Sequence, residues 1–471
     1  MCLKICDPIL GGADGPDAPQ TLGSATRQFG GQIRGLKKQD KLAGQIEREL
    51  EKNSKALLRE AAREVMQARA DATPPRCPVC HTPLEKVEAK ERTILTQWGH
   101  VTLRRAYGRC PRCQEYFAPA DHALGLEPSQ QTSPGLAEKL AYLATLLPPG
   151  QVAEVFEHLT GQPIAPAKVE REARKKGEQA LLERQEDLAR ALDPETRADF
   201  SRQNRPPDEP EEFTLVLMMD AWLIRERDDW GRSEALRKQG VRPERWHDVK
   251  SARLFRLEER ATNQSGRPML LSSHVVATRG DAAAFSELVF GEALRWGALR
   301  ASRVLVVADG GVWIWHLVED RFSWADSLTL DFYHAAAHLW TVAHALFGEG
   351  SEAARVWVEG LRRKLRHGQH KRVVKTLADL ARMGQELAIA DVLEREAAYF
   401  GAHAEHLDYA AKGRRGEPIG SGAMESACKQ YQLRFKRPGQ FWAHEEGLLE
   451  LYSRRMSGRW ESLWPHLSSQ N

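Results

Sequence analysis

The spacing of apolar residues changes several times along the chain, and each change marks an element. Residues 1–36, rich in Gly, Ala, Asp and Pro, carry no period and read as a loose tail. From 40 to 70, Leu42, Ile46, Leu50, Leu57, Leu58, Ala61, Val65 and Met66 recur at helical spacing among charges, which predicts an amphipathic helix or helical pair ended by Pro74 and Pro75. Between 93 and 104, Ile94, Leu95, Trp98, Val101 and Leu103 suit a short β-hairpin turning at Gly99. Three helical stretches follow at 135–147, 152–159 and 167–182, broken by Pro148-Pro149-Gly150 and by the turn at 161–166. Short helix, turn and basic helix make the outline of a helix-turn-helix unit, with a small helical linker domain as the plainer alternative. Residues 193–212 are polar, hold Pro194, Pro206, Pro207 and Pro210, and read as a linker.

Beyond the linker the signal switches to strands. Runs at 213–219, 249–257 and 268–277 precede a helix at 281–297, then strands at 304–307 and 327–330, which predicts a mixed α/β sheet. From 333 to 407 the pattern is helical, with no strand candidate. A glycine turn, Gly420-Ser421-Gly422, opens a helix carrying Glu425, where Ser421 is placed to cap it. No internal repeat is visible.

With 471 residues the chain is too long for one ordinary core, so two or three compact units are expected. The expected organisation is multidomain α/β (α+β): tail 1–36, helical segment 37–75, cysteine module 76–120, small helical domain 134–192, linker 193–212 and mixed sheet 213–334. No apolar run approaches the ~20 residues of a membrane span, and the start has no charged-then-apolar leader, so no membrane partner and a cytoplasmic location are expected. Net charge is +3, from 68 basic and 65 acidic residues, which permits local basic patches without arguing for them.

Seven cysteines, an odd number, argue against a disulfide framework. Cys2, Cys6 and Cys428 are scattered, but Cys77-Pro78-Val79-Cys80 and Cys110-Pro111-Arg112-Cys113 are two C-x-x-C knuckles separated by 29 residues. Each thiolate pair can grip one side of a tetrahedral ion, and a hairpin between them is the body of a zinc ribbon. Four Cys ligands leave no open position, so one structural Zn2+ is expected. Arg104 and Arg105, near the second knuckle, are placed to meet phosphates.

Three apolar runs end in an aspartate: Asp220 after 215–219, Asp309 after 304–308, and Asp331 after 328–330. A carboxylate left unpaired at the end of a dry strand is costly, and is better explained at the mouth of a sheet, holding a cation. Magnesium takes oxygen ligands and keeps several waters, so three or four carboxylates suffice for a two-ion site. A single Asp after a strand is often only a turn or cap residue. The force lies in three such strand ends plus the later helical Glu425.

Four runs also resemble the Kra-type group of bacterial insertion-sequence DDE transposases. They are Met218-Met219-Asp220-Ala221-Trp222, Val307-Ala308-Asp309-Gly310-Gly311-Val312-Trp313-Ile314-Trp315, Asp331-Phe332-Tyr333-His334-Ala335 and Pro418-Ile419-Gly420-Ser421-Gly422-Ala423-Met424-Glu425-Ser426. The tail 434–455, with Arg437, Pro438, Gly439 and Trp442, and the cysteine module fit the same group, so the resemblance covers roughly 40–465. It implies a ribonuclease H-like fold with an all-helical insertion at 335–415 and a C-terminal part of the core at 416–465. It implies two Mg2+ or Mn2+ ions, and double-stranded DNA as partner, both as terminal inverted repeats and as target. Donor-end cleavage, strand transfer, a homodimer or higher oligomer on DNA and a nucleoid-associated location follow from it too. The first Asp carries over to Asp220 and the Glu to Glu425. In this fold the strand neighbouring the first bears the second Asp, which favours Asp309, with Asp331 the alternative.

Residues 429–459 hold seven basic and three acidic residues, and Lys429, Arg434, Lys436 and Arg437 are the expected phosphate contacts. Lys429 lies one helical turn beyond Glu425. His334 and His338, like His403 and His406, are expected to be structural, His334 by holding Asp331. Trp313, Trp315 and Trp340 are expected in the core. Two other functions stay in view: a non-catalytic DNA-binding protein, which would have shed an acidic residue, and a structure-specific nuclease that cuts without joining.

Overall fold

The structure, a computed structural model, describes residues 21–467 except 40, 208, 228–231, 267, 386–387, 439, 441, 443–444 and 466. Cys2, Cys6, Gly439 and the first 20 residues of the expected tail lie outside the described residues. The chain forms two compact units. One comprises 1–144, 148–172 and 464–471; the other comprises 145–147 and 173–463.

The first unit opens with α1 (Leu22–Leu36) and α2 (Ala43–Asp71). The helix over 22–36 falls where a tail was expected. Thr21 starts it by accepting from the Ser24 N–H at 3.2 Å, and Ala25 and Leu36 are buried. An antiparallel sheet follows, β1 (Glu85–Thr96), β2 (Gly99–Arg109) and β3 (Tyr116–Phe117), in that order. Gly99 takes φ +119 at the hairpin turn, a conformation that favours glycine. The hairpin is longer than its apolar stretch because the outer half of β1 is solvent-exposed and carries no hydrophobic period to read. Ile94, Val101, Leu103 and Leu126 make its core. Then come α3 (Pro119–Ala123), α4 (Pro134–Ala144), α5 (Pro149–Thr160) and the start of α6 (Pro166–Leu192). The unit boundary falls inside α6, between Glu172 and Ala173, rather than after a domain ending at 192.

The second unit takes the rest of α6 and then α7 (Arg197–Gln203), inside the expected linker. That segment is packed: Phe200 is buried, the Ser201 hydroxyl donates to the Leu294 carbonyl at 3.1 Å, and Glu209 binds Arg256 and Arg300. Next are β4 (Thr214–Arg227), α8 (Ser233–Lys238), β5 (Glu244–Arg256), a small hairpin of β6 (Arg260–Thr262) and β7 (Pro268–Leu270), and β8 (His274–Thr278). They are followed by α9 (Ala282–Arg295), β9 (Arg303–Ala308), α10 (Val312–Arg321) and β10 (Ser327–Leu330). The five-stranded sheet runs β10-β9-β4-β5-β8, antiparallel on the β5 side of β4 and parallel on the β9 side. It is a mixed α/β sheet, as the strand pattern predicts.

Strand β4 alternates between two cores because successive side chains point to opposite faces. Leu215, Leu217 and Met219 join the layer of α9, α10 and α11 (Phe332–Phe347). That layer also takes in α12 (Glu352–Arg366), α13 (His370–Met383), α14 (Ala390–Ala402) and α15 (Tyr409–Arg414), the all-helical stretch the sequence predicts. Val216, Met218, Trp222 and Ile224 face α16 (Gly422–Phe435) and α17 (Glu446–Met456) through Met424, Ala427, Tyr431, Phe435 and Leu449. No helix among the described residues is long and apolar enough to cross a membrane.

Candidate active site

Parallel pairing aligns the ends of three strands. Met219 of β4 pairs with Ala308 of β9, and Ala308 pairs with Leu330 of β10. The next residues, Asp220, Asp309 and Asp331, therefore stand side by side along one edge. Strand β4 does not stop at Asp220: it continues to Arg227 against β5, so Asp220 sits mid-strand, at the point where β9 turns away.

The three aspartates differ in what they hold. Asp220 accepts from its neighbour's N–H, Ala221, at 2.7 Å and from the Cys428 thiol at 3.6 Å. Burial raises its pKa above the ordinary carboxylate value despite the Ala221 N–H, and the charge of Asp309 adds to the rise. Asp309 is half-buried; its Oδ1 accepts from the Gly311 N–H at 2.9 Å. Asp331 is fully buried and fully used: Oδ1 accepts from the His334 N–H at 2.7 Å, capping α11, and Oδ2 accepts from the Ser421 N–H. Burial alone would raise Asp331, but contacts from His334 and Ser421 outweigh it and hold the carboxyl below the usual range. The His334 imidazole Nδ1 lies 3.4 Å from Asp331 Oδ1 and is raised by that contact, with Asp309 and Asp220 adding to it.

Helix α16 carries Glu425 and is fixed at its start from two sides. Asp331 holds the Ser421 N–H, and the Arg253 guanidinium donates to the Ala423 carbonyl at 2.8 Å. The Ser421 side chain does not cap the helix, contrary to the expectation from sequence; its backbone N–H is what is used. Gly420 makes a close approach there: a Cβ would lie 2.9 Å from the Tyr333 ring, so that exposed side chain would have to shift. Cys428, one turn beyond Glu425, touches Asp220, so Glu425 rides within a helical turn of that contact. Its carboxylate is half-exposed and lies 3.7 Å from the Lys429 ammonium.

Among the described residues, no three of the aspartates and Glu425 bring their oxygens within 4.8 Å of one another; a grouping of that size belongs to the cysteines alone. Two ions ~3.5–4 Å apart need carboxylates spread around them rather than collapsed on one point.

Gly310 and Gly311 follow Asp309 and add no side chain beside it. Tyr399 of α14 packs against Gly310: a Cβ there would overlap the Tyr399 ring. The buried Tyr399 hydroxyl has no hydrogen-bond partner among the described residues, and its pKa is pushed up by burial and by Asp309 and Asp331. The ring stacks on His338 at 3.8 Å between centroids, and His338 Nδ1 sits 2.6 Å from Glu396. Trp315 braces the Asp309 loop, donating from Nε1 to the Asp309 carbonyl at 2.8 Å and stacking on His406 at 4.3 Å. No local spacing signals Tyr399; its only trace in the sequence is the missing side chain at Gly310.

The cysteines meet as their spacing predicts. Cys77 and Cys113 Sγ atoms lie 3.8 Å apart, and Cys80 and Cys110 Sγ atoms 3.4 Å apart, within a group whose ligand atoms all fall inside 4.8 Å. Zn–S bonds of ~2.3 Å at tetrahedral angles put sulfurs about 3.8 Å apart, so the four thiolates can hold one structural Zn2+. The knuckles are built alike: the His81 N–H donates to the Cys77 carbonyl and the Gln114 N–H to the Cys110 carbonyl, with both donors at positive φ, 60 and 63.

Of the expected phosphate contacts, Lys429, Lys436 and Arg104 are exposed and Arg437 is half-buried. Arg434 is buried over the Phe435 and Trp442 rings, and burial lowers its pKa to about 10. Arg105 binds Asp121 at 2.6 Å in a nearly closed site. Arg434 and Arg105 thus work inside the protein, where helix and strand packing took side chains that a bare charge count leaves on the surface. A scan against family models and a search of curated proteins both find no match for this chain.

Proposed function

We propose that this chain is a DDE-type transposase with a ribonuclease H-like core. In this reading it cuts DNA at the ends of a mobile element and joins the freed ends to target DNA. The observation that supports it best is the juxtaposition of Asp220 and Asp309. Each directly follows the last paired residue, Met219 or Ala308, of two adjacent parallel strands, and Asp220 is raised by burial and by its neighbour's charge. Like charges so placed in a partly dry site favour a bound cation. Divalent ions bound there lower the pKa of a water or hydroxyl nucleophile and offset charge on the transferring phosphate.

The chain's own residues have separate tasks in this reading. Asp220 and Asp309 would hold Mg2+ or Mn2+, and Glu425 closes the set from α16. Asp331 is a positioning residue: with both oxygens occupied, it fixes the turn on which Glu425 depends. His334, in contact with Asp331 and raised by it and by the charges of Asp309 and Asp220, tempers the repulsion among them. Lys429, Lys436, Arg437 and Arg104 supply phosphate contacts, the cysteine ribbon is a Zn2+-held module, and a dimer brings two DNA ends together.

The test uses a supercoiled plasmid carrying the coding segment with its native flanking DNA, incubated with protein and Mg2+ or Mn2+. Excised and joined products are expected, and Asp220→Asn, Asp309→Asn and Glu425→Gln should each abolish them. Nicks without joints would favour the nuclease. No metal-dependent break of any kind, from folded wild-type protein, would sink the proposal.

A further inference from the structure

The largest excess of positive charge in the chain lies in the helical stretch that follows Asp331. Between 362 and 375 the sequence holds seven Lys and Arg and no Asp or Glu, in a protein whose overall balance is only +3. The fold places this run on the end of α12, the connecting turn and the start of α13. Both helices bury an apolar stripe, Leu361 and Leu365 on one, Val373 and Leu377 on the other, and the charges take the outer side. Arg363, Lys364, Arg366, Lys371, Arg372 and Lys375 are exposed, and none of them lies within 4.0 Å of a carboxylate among the described residues.

Their neighbours on the same helices behave differently. Arg355 sits on Glu352 and Arg382 on Asp379, the usual fate of a surface arginine. Arg362 pairs with Glu359 at 2.5 Å. The unpaired charges are thus confined to the hairpin end. Behind the turn, a cavity of 690 Å3 is bounded by Gly368–Arg372 together with Glu405 and Asp408. Asp408 is already engaged, accepting from the Ala411 N–H at 3.1 Å. Turn residue Gly368, at φ +76, lets the chain reverse tightly enough to bring the two charged ends together.

The hairpin is also tied to the site. The guanidiniums of Arg366 and Arg362 lie 4.8 and 5.7 Å from the centre of the Phe332 ring. Phe332 directly follows Asp331, and its N–H donates to the Ile419 carbonyl at 2.9 Å, next to the turn that starts the Glu425 helix. The hairpin's inner side therefore packs on the residue that follows Asp331 and meets the turn before the Glu425 helix.

We infer that the α12–α13 hairpin is a docking surface for the sugar–phosphate backbone of duplex DNA, holding the segment beside the phosphodiester to be cut. The inference rests on the transposase reading and names the surface that delivers DNA to that site. Lysine and arginine without carboxylate partners, repeated along two helix ends, suit a row of phosphates and carry no base-reading geometry. Binding here is sequence-independent and salt-sensitive, because each phosphate neutralised releases counterions.

The test compares the full-length protein with Arg363→Ala/Lys364→Ala/Lys371→Ala/Arg372→Ala, leaving out Arg366 because it packs on Phe332. Affinity for a fluorescent 40-base-pair duplex is read by anisotropy across a NaCl series. Each lost phosphate contact flattens the log–log salt slope by about 0.9, so a fall of roughly 2–4 is expected, with affinity at least ~10-fold weaker at low salt. Arg355→Ala/Arg382→Ala, on the same helices but already neutralised, should leave the slope unchanged. Replacing the same four positions by the opposite basic residue (Lys for Arg, Arg for Lys) should restore it. An unchanged slope in the quadruple alanine variant, with wild type binding normally, overturns the inference alone. Wild type that binds no duplex at all overturns the transposase reading as well. Preferential binding of phosphatidylglycerol vesicles through these four residues would assign the surface to membranes and likewise overturn it.

Discussion

At the residue scale, Asp309 and Asp331 separate by what their oxygens already do. Asp331 is closed, with each oxygen taken by a backbone N–H, whereas the charge of Asp309 bears on Asp220. Both Asp309→Asn and Asp331→Asn should lose strand transfer, but their stabilities should part. Asp309→Asn removes a repulsion and should keep or raise the melting temperature. Asp331→Asn turns an amide N–H toward the Ser421 N–H and should cost about 1–3 kcal/mol, the usual penalty for a buried donor left unmatched. The pH dependence has a definite sign. Because the Asp331 carboxyl is depressed in the fold, its stabilising contribution is present above the unfolded pKa and fades as pH falls through the folded one. The gap between wild type and Asp331→Asn in thermal melts should therefore be widest near neutrality and close in acid. Asp220 runs the other way: its raised carboxyl makes protons stronger competitors for its site. Mg2+ affinity, by calorimetry, should then fall off at a higher pH than an ordinary carboxylate pair would give. A gap that stayed constant across pH would remove Asp331 from its positioning role.

At the scale of elements, much of the arrangement was legible and the failures have physical causes. The apolar runs leading to Asp220, Asp309 and Asp331 are legible because a fully buried stretch of strand is a continuous apolar run, although β4 carries on past Asp220 to Arg227. The helical stretch from 333 could be read because its apolar period is 3.6. Two segments were misjudged. The 193–212 linker is polar in composition, yet Phe200, Ser201 and Glu209 pack through specific hydrogen bonds and ion pairs that no composition reports. Helix α1 sits in a glycine-rich stretch whose low propensity hides it. The aspartates are legible one by one after their apolar runs, but the contact between the Asp309 loop and α14 is not, since Tyr399 is 90 positions from Asp309 in sequence. That contact makes a sharp prediction. Gly310→Ala drives a methyl into the Tyr399 ring, and overpacking of this kind costs about 1–3 kcal/mol. The melting temperature should drop, and cleavage should fall with it as the Asp309 loop shifts. The double variant Gly310→Ala/Tyr399→Ala opens room for the methyl and should regain loop order. A double variant no better than the single would show that the two elements are not in register as described.

At the scale of the whole molecule, each unit has its own core and its own means of holding it. The first unit keeps a small apolar cluster around Ile94, Val101 and Leu103, and its ribbon end is closed by four thiolates rather than by bulk. The second is organised on a five-stranded sheet packed on both faces. A module so small would gain most of its order from an ion held by these four cysteines, whereas a large two-sided core folds on its apolar packing. Purified protein should contain one zinc per chain by mass spectrometry of the metal, and Cys110→Ser should lose it. Hydrogen exchange should then speed up across 76–117, with the ladder between β1 and β2 opening first where the knuckles anchor it. The paired strands β4 and β9 should keep their protection, because nothing in their ladder or packing depends on a thiolate. Uniform loss of protection in both regions would mean that the two cores share one cooperative unit, and that the zinc site supports the whole chain. Retained zinc in Cys110→Ser would mean that the ion is held by other ligands, and the tetrahedral assignment would fail on its own terms.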